Sequence, residues 1–481
     1  MKNKFLKHFA VIGSGTIINM FLGLLTTPLI TRIVNPNEYG QLSIFTMYSG
    51  IALMVLCMGL DQALVRYYYE DDSISYKRSL LYKCIVMPII CSIVVSGVVI
   101  SLRIFDFAFV EFEFIVVYLL CVYTIIQLIY RFSLLLIRLA YKSKVYSMLS
   151  IIHKLLYILI AIPLLLFYKD NCLLLLIIAT MMSVFVCLII SIYVQRDYWN
   201  VLKIGERNCK FSYKELIQYG APFIISMGIT TIFQAMDKIF LNIYCDYTEV
   251  GIYASTMSLV NIFAIVQTTF NTIWAPMAVE HYSNNKEDKS FYQKGNQLIT
   301  VVMFGLGLLL ILCKDVFSIL LGEKYREAAY ILPMLIFNPI MYTISETTVV
   351  GLVFKKKSKL QVVVAVGACL TNLIGNIILV PKLGCQGAAI STGLSYIVFF
   401  VLRTLLSNRY FYVEYQLKKF GILTVIVLLY ALYNTFNEFG VLSVLGFGGC
   451  MFVLIKLYWP EIIWGLNYIR ENINILKKNK Q

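Results

Sequence analysis

The chain has 481 residues, 60% apolar and 14% charged, with a formal net charge of +15. Soluble domains carry about 45–50% apolar and about 25% charged residues, and no long polar segment exists here to build one. That excludes a soluble enzyme, argues against a large extramembrane catalytic domain, and predicts an integral membrane protein of many spans.

The charged residues divide the chain into the pieces such a protein needs. Uncharged runs cover 8–31, 39–60, 84–102, 114–130, 171–195, 216–236, 250–279, 295–313, 328–345, 360–381, 383–402, 420–437 and 439–455. A further candidate, 145–168, is interrupted only by His153 and Lys154. An unpaired backbone is too costly in lipid, and these runs are about twice the length of a barrel strand. The predicted fold is therefore all-α and polytopic, with about 14 transmembrane helices. The first run exceeds the apolar core of a secretory signal, and Leu29 to Arg32 offer no small-residue cleavage site, so it reads as a retained helix.

Lys and Arg fall unevenly on the two sides. Starting inside, one face collects 30 of the 41, the other collects seven, and the remaining four lie in or at the edge of spans. Both termini are therefore expected in the cytoplasm. The basic loops would face anionic lipid headgroups, and no nucleic acid is expected as a partner.

The twelve cysteines include no C-x-x-C and no histidine at zinc spacing, so no metal and no cofactor are expected. Cys172, Cys245, Cys313 and Cys385 fall near the outer face, where they either pair or fill helix interfaces. Outer loops are short, the longest being about Lys314 to Glu327. A polymerase or ligase acting outside would need a substantial outer loop, and no G-x-x-x-x-G-K-[ST] is present for ATP hydrolysis. Transport driven by gradients, or by the substrate itself, is what remains.

A weak internal repeat supports this reading. Asn35-Pro36-Asn37-Glu38-Tyr39-Gly40 and Asp246-Tyr247-Thr248-Glu249-Val250-Gly251 each occupy an outer turn before an even-numbered helix. Glycine there relieves backbone strain, and glutamate lies near the positive end of the next helix. Two parallel six-helix repeats follow, joined by the segment from Gln195 to Lys214.

Asp237-Lys238-Ile239-Phe240-Leu241, followed by Glu249-Val250-Gly251-Ile252-Tyr253, resembles the helix-7 and helix-8 junction of the bacterial polysaccharide-transport flippases. Asn35 to Gly40, Gly59 to Ala63 with Arg66-Tyr67-Tyr68, Trp274-Ala275-Pro276 and Gly384 to Ala389 are similar to other recurring segments of that family, in the right order. The resemblance implies a Wzx-type member of the superfamily that also holds multidrug exporters and lipid II flippases. It implies two six-helix bundles, 1–195 and 215–406, around a central cavity. A cytoplasmic linker at 196–214, appended helices in 407–457 and an amphipathic cytoplasmic tail at 458–481 complete the expected organisation. The tail carries Ile462, Leu466, Ile469, Ile473 and Leu476 at helical spacing.

The implied function is to move undecaprenyl-pyrophosphate-linked oligosaccharide repeat units (O-antigen, capsule or similar) to the outer leaflet of the bacterial cytoplasmic membrane. Implied partners are that lipid-linked oligosaccharide, membrane lipids, and the polysaccharide polymerase and chain-length machinery. The alternatives are a multidrug or organic-cation antiporter of the same superfold, or a lipid II flippase. Positions 8–31 contain no Lys or Arg, which counts against lipid II, whose flippases typically place basic groups in their first helices.

A lone charge at the bilayer centre costs from about 3 to more than 10 kcal/mol, so ionisable groups inside spans are the candidate site residues. Asp237 and Lys238 point about 100° apart on helix 7 and do not pair, so each is either an interfacial anchor or a cavity group. Lys154 either snorkels or binds pyrophosphate, and His153 either couples a proton or bridges helices. Arg131 and Arg138, one heptad apart on helix 4, either receive the headgroup or end the helix. Asp61 and Arg66 end helix 2, and either bind substrate or snorkel. Glu346, deep in helix 10, is either an ion-coupling acid or a structural hydrogen-bond partner. Gln127, Gln234, Gln267, Asn271, Asn372 and Asn376 either line a sugar path or join helices.

Overall fold

The computed structural model describes residues 2–105, 112–168, 170–200, 211–261 and 263–478. Among them every regular element is helical. Two compact units emerge, Met1–Ala235 and Met236–Gln481.

In the N-terminal unit α1 (Lys2–Thr31), α2 (Pro36–Leu56), α3 (Leu60–Tyr67), α4 (Ile74–Ile104), α5 (Phe114–Leu139), α6 (Ser143–Phe167), α7 (Cys172–Val194) and the short α8 (Arg196–Trp199) precede α9 (Tyr213–Tyr244). The boundary between the units falls within α9. In the C-terminal unit follow α10 (Tyr247–Val260), α11 (Phe263–Asn284), α12 (Ser290–Leu312), α13 (Lys314–Leu321), α14 (Ala328–Leu335), α15 (Phe337–Thr348), α16 (Val350–Phe354), α17 (Ser358–Asn408), α18 (Leu417–Phe436) and α19 (Val441–Lys478).

Eleven of these segments are long and apolar enough to cross a membrane, and α10 with α11, bent by 45°, makes a twelfth. The 51 residues of α17 would extend about 77 Å at 1.5 Å per residue, more than twice the hydrocarbon thickness. Gly384 (φ 53°, ψ −132°) breaks α17 into the two spans expected at 360–381 and 383–402. With α1 over 8–31, each of the fourteen predicted runs falls on helix.

The predicted boundaries differ where charge was taken as the end of a span. α4 begins at Ile74, so Lys77, Arg78 and Lys83 are helical. Their heads find other partners: Lys77 pairs with Asp72, Arg78 donates to the Asp197 carbonyl and Lys83 to that of Phe211 at 2.9 Å. Arg403, counted with the basic loops, lies inside α17 and is buried. A charge limits exposure to lipid, not helix propagation. The linker of 196–214 is described at both ends, and its residues 201–210 lie outside the described residues. α9 opens with a reciprocal capping box, Ser212 N–H donating to Glu215 (2.7 Å) and Glu215 N–H to the Ser212 hydroxyl (3.3 Å). α19 changes direction at Tyr458 (φ −118°, ψ 22°) and continues to Lys478, while the side chains that form the apolar stripe of the tail beyond Gly465 lie outside those described.

The repeat is deeper than one tripeptide. Asn35 and Asp246 precede α2 and α10, and the Asp246 side chain accepts from Glu249 N–H at 3.0 Å. The Glu38 carboxylate meets the thiol of Cys172, the first residue of α7, which follows Asn171 at φ 55°. In the second unit the Glu249 carboxylate accepts the Cys385 N–H at 2.7 Å, just after Gly384 at φ 53°. A Cβ on Gly384 would lie 2.9 Å from that carboxylate, so glycine answers both the left-handed conformation and the close approach.

The segment from Lys314 to Glu327, expected as a loop, is not an open one. It forms α13 and a single 3₁₀ turn, Glu323–Tyr325. Lys314 is fully buried, its ammonium donating at 2.6 Å to each of the Asn434 and Asn437 carbonyls and lying 5.0 Å from the Tyr330 ring centroid. It thereby caps the C-terminus of α18. Lys314→Met should lower stability in detergent by about 1.5–3 kcal/mol, the worth of a hydrogen bond to a charged group. Chemical unfolding checks this, and an unchanged midpoint would show that the cap contributes nothing.

Candidate functional site

α9 carries the centre of the polar interior of the C-terminal unit. Asp237, 6% exposed, accepts four hydrogen bonds and, among the described residues, forms no ion pair. One carboxylate oxygen takes the side-chain amides of Asn372 (3.0 Å) and Asn376 (2.8 Å). The other takes the hydroxyls of Tyr253 and Thr392, both at 2.5 Å. Asn372 and Asn376 share a face of α17 because they are one turn apart, and Thr392 comes from the same helix after its break. The cluster therefore gathers α9, α10 and both halves of α17. The buried Oδ1 of Asn376 has no partner among the described residues.

All four groups turn N–H or O–H toward the carboxylate; with their oxygens rotated inward the same side chains would offer a hard donor set, suited to an alkali cation and not to a soft transition metal. A second group, Glu249, Glu327 and Cys385, brings its ligand atoms within 4.8 Å of one another, but Glu249 is already engaged with the Cys385 amide.

Two other acids are paired with arginines. Asp61, buried at the start of α3, receives Arg131 Nε (3.1 Å) and Nη2 (2.6 Å) on one oxygen and its neighbour Gln62 N–H (2.9 Å) on the other. Glu346 is held at 2.7 Å by Arg403, which also donates to the Ser345 hydroxyl and lies 5.6 and 5.4 Å from the ring centroids of Tyr342 and Phe399. Asp237 thus differs from Glu346 in having only neutral donors.

The basic candidates separate in the same way. Arg66 is exposed and pairs with Glu70 one turn on, at 2.9 Å. Arg138 is exposed at the end of α5, while Arg131, one heptad earlier, is half-buried. Lys154 and Lys238 are half-buried and, among the described residues, neither forms an ion pair. Lys154 lies 5.8 Å from the Tyr157 ring centroid and passes Gly23 of α1, where a Cβ would come within 3.9 Å of its Cε. A cation thus lies against the first helix although that helix's run carries none. His153 is half-buried beside it. Of the polar candidates, Gln127 donates to the Tyr123 hydroxyl and accepts from Ser49, and Asn271 keeps a buried oxygen without a partner among the described residues. Sequence reasoning missed Tyr253, Thr392 and Arg403. The Asn372/Asn376 spacing within an apolar run was the legible signal.

The fold is similar to that of two solved membrane proteins. The lipid II flippase MurJ, in an inward closed conformation, matches with TM-score 0.69 at 14% identity, over 96% of this chain and 100% of that one. An inward-facing MATE multidrug resistance transporter matches with TM-score 0.56 at 12% identity, over 82% and 94%. The chain belongs to the polysaccharide biosynthesis protein family, whose model matches residues 5–281. A probable low-salt glycan biosynthesis flippase of Haloferax volcanii, Agl15, is 23% identical over 242 residues. That match covers 48% of this chain, which spans about half the length of that curated relative, 51%.

At the outer turn, burial and the carboxylates of Glu249 and Asp246 push the Glu327 carboxyl above its ordinary value. A raised native pKa means that Glu327 supports folding most at low pH and loses this as pH rises through the unfolded value, about 4.3. Glu327→Gln should raise the melting temperature at neutral pH and leave it unchanged near pH ~3, below the unfolded value. Melting curves at the two pH values provide the check.

Proposed function

We propose that this chain is a flippase that carries polyprenyl-pyrophosphate-linked glycan repeat units, such as O-antigen or capsule units, from the inner to the outer leaflet of a bacterial cytoplasmic membrane. Its termini are in the cytoplasm, the side of the basic loops, and 1–195 and 215–406 act as its two six-helix repeats. Polymerase and chain-length machinery would take the exported unit.

The observation that supports this reading is the charge left over inside the spans. Asp61 with Arg131, and Glu346 with Arg403, cancel. Among the described residues Lys154 in one unit and Lys238 in the other remain without an ion pair, and the hydrogen-bond donors to Asp237 are neutral. An interior with excess positive charge suits a pyrophosphate diester and opposes an organic cation. When Asp237 takes up a coupling cation, its negative charge is cancelled and the charge of Lys238, its neighbour in the same unit, is left uncompensated toward a phosphate. Loading and coupling-ion binding then favour each other. Outward movement of two negative charges across an inside-negative membrane gains about 4.6 kcal/mol per 100 mV, twice the single-charge value.

Deletion of the gene should trap lipid-linked repeat units on the cytoplasmic side, and unchanged surface polysaccharide would sink the proposal. Lys238→Ala and Lys154→Ala should each impair export at normal protein level. Asp237→Asn, which fixes the neutral state, should abolish dependence on the coupling ion while headgroup binding persists. Flipping assays in proteoliposomes with and without an ion gradient separate these effects.

A further inference from the structure

At the end of the N-terminal unit that bears the basic loops, the backbones of α9 and the α2–α3 break touch directly. Met58 (φ 52°) and Gly59 (φ 67°) are both left-handed, so α2 stops and α3 leaves at a new angle. A Cβ on Gly220 would lie 2.7 Å from the Gly59 carbonyl oxygen and 3.0 Å from that of Met58. Around this point α9 rests on α3 through Tyr67, whose ring centroid is 4.2 Å from Phe211 and 5.6 Å from Tyr219, and through the fully buried Leu216.

Behind the glycine contact is a small cavity lined by Met54, Cys57, Asp61, Arg131, Ile224 and Met227, with Gly59 itself at its wall. Its one cation is Arg131. Asp61 engages Nε and Nη2, whereas Nη1 makes no hydrogen bond among the described residues and the side chain is 35% exposed. Asp61 thus fixes the plane of the guanidinium and leaves one edge for a second acceptor. The Cys57 thiol on the same wall is shielded, the residue being 2% exposed.

We propose that the Gly59–Gly220 contact is the closure of an entry on the loop-rich side, and that its separation presents the free edge of Arg131 to a pyrophosphate group. Asp61 is then a positioning residue. The two glycines meet without interlocking side chains, the left-handed pair at 58–59 supplies the pivot, and opening also parts Tyr67 from Phe211 and Tyr219 and uncovers Leu216. The role in loading rests on the flippase reading; the closure itself does not.

Native Cys57 reports the state directly. In inside-out vesicles bearing the full chain, a water-soluble maleimide is applied and modification at Cys57 is quantified by peptide mass spectrometry. Cys57 in the wild-type protein should be modified slowly. Gly220→Leu, which props the contact apart, should raise its rate about tenfold or more, the change from a minor to a dominant open state. Cys187, fully buried in α7 of the same unit, should stay protected. If the leucine variant also exposes Cys187, Gly220→Ala, with the smallest added group, carries the test.

Equal Cys57 rates in the folded variant and wild type would overturn the closure. In the propped variant, undecaprenyl pyrophosphate in the vesicles should slow modification, and adding Arg131→Gln should remove that protection. Undecaprenol with free inorganic pyrophosphate is the comparison arm. Protection by the free anion but not by the lipid would overturn the loading role, as would protection that survives Arg131→Gln. A gate that behaves as proposed in a chain that flips no glycan would refute the flippase reading alone.

Discussion

The cost of a lone charge in hydrocarbon governs the architecture of this protein. It explains why charged residues end most apolar runs, why Asp61 and Glu346 each hold an arginine, and why Lys314 is tied to two carbonyl oxygens. A buried ion pair contributes little net stability, because desolvation offsets attraction, but losing one partner is expensive. The same ledger makes Lys154, Lys238 and Asp237 informative. Among the described residues none of the three forms an ion pair, although Asp237 and Lys238 are neighbours in the chain.

The C-terminal unit shows how neutral groups hold such a carboxylate. Four donors on Asp237 replace much of the lost hydration without cancelling its charge. The donors come from segments far apart in sequence, so Asp237 ties α10 and both halves of α17 together. Asn376, with its unpartnered oxygen, is the point at which this shell is incomplete among the described residues.

The spans were legible in the sequence because hydrocarbon enforces a local rule: about twenty residues without charge, in helical form. Pairing is not local. Arg403 reads as a loop cation because it follows an uncharged run, and only the fold brings it to Glu346, 57 residues earlier. Tyr253 and Thr392 are ordinary residues in apolar helices until Asp237 is placed among them. The Glu38/Glu249 repeat was visible as one short match, whereas its counterpart, Asn171-Cys172 against Gly384-Cys385, shares one residue type and a positive φ, with ψ 52° in one and −132° in the other. Conformational likeness of that kind leaves almost no trace in residue identity.

The burial of Lys314 has a consequence for how the chain is made. Its acceptors, Asn434 and Asn437, follow it by 120 and 123 residues. At a synthesis rate of about 5–20 residues per second, Lys314 waits about 6–24 s after leaving the ribosome before they exist. During that interval its ammonium needs water, lipid phosphate or the insertion machinery as a partner. The appended helices therefore finish the C-terminal unit rather than merely extend it, and a chain truncated before α18 would present a lysine that quality control can recognise.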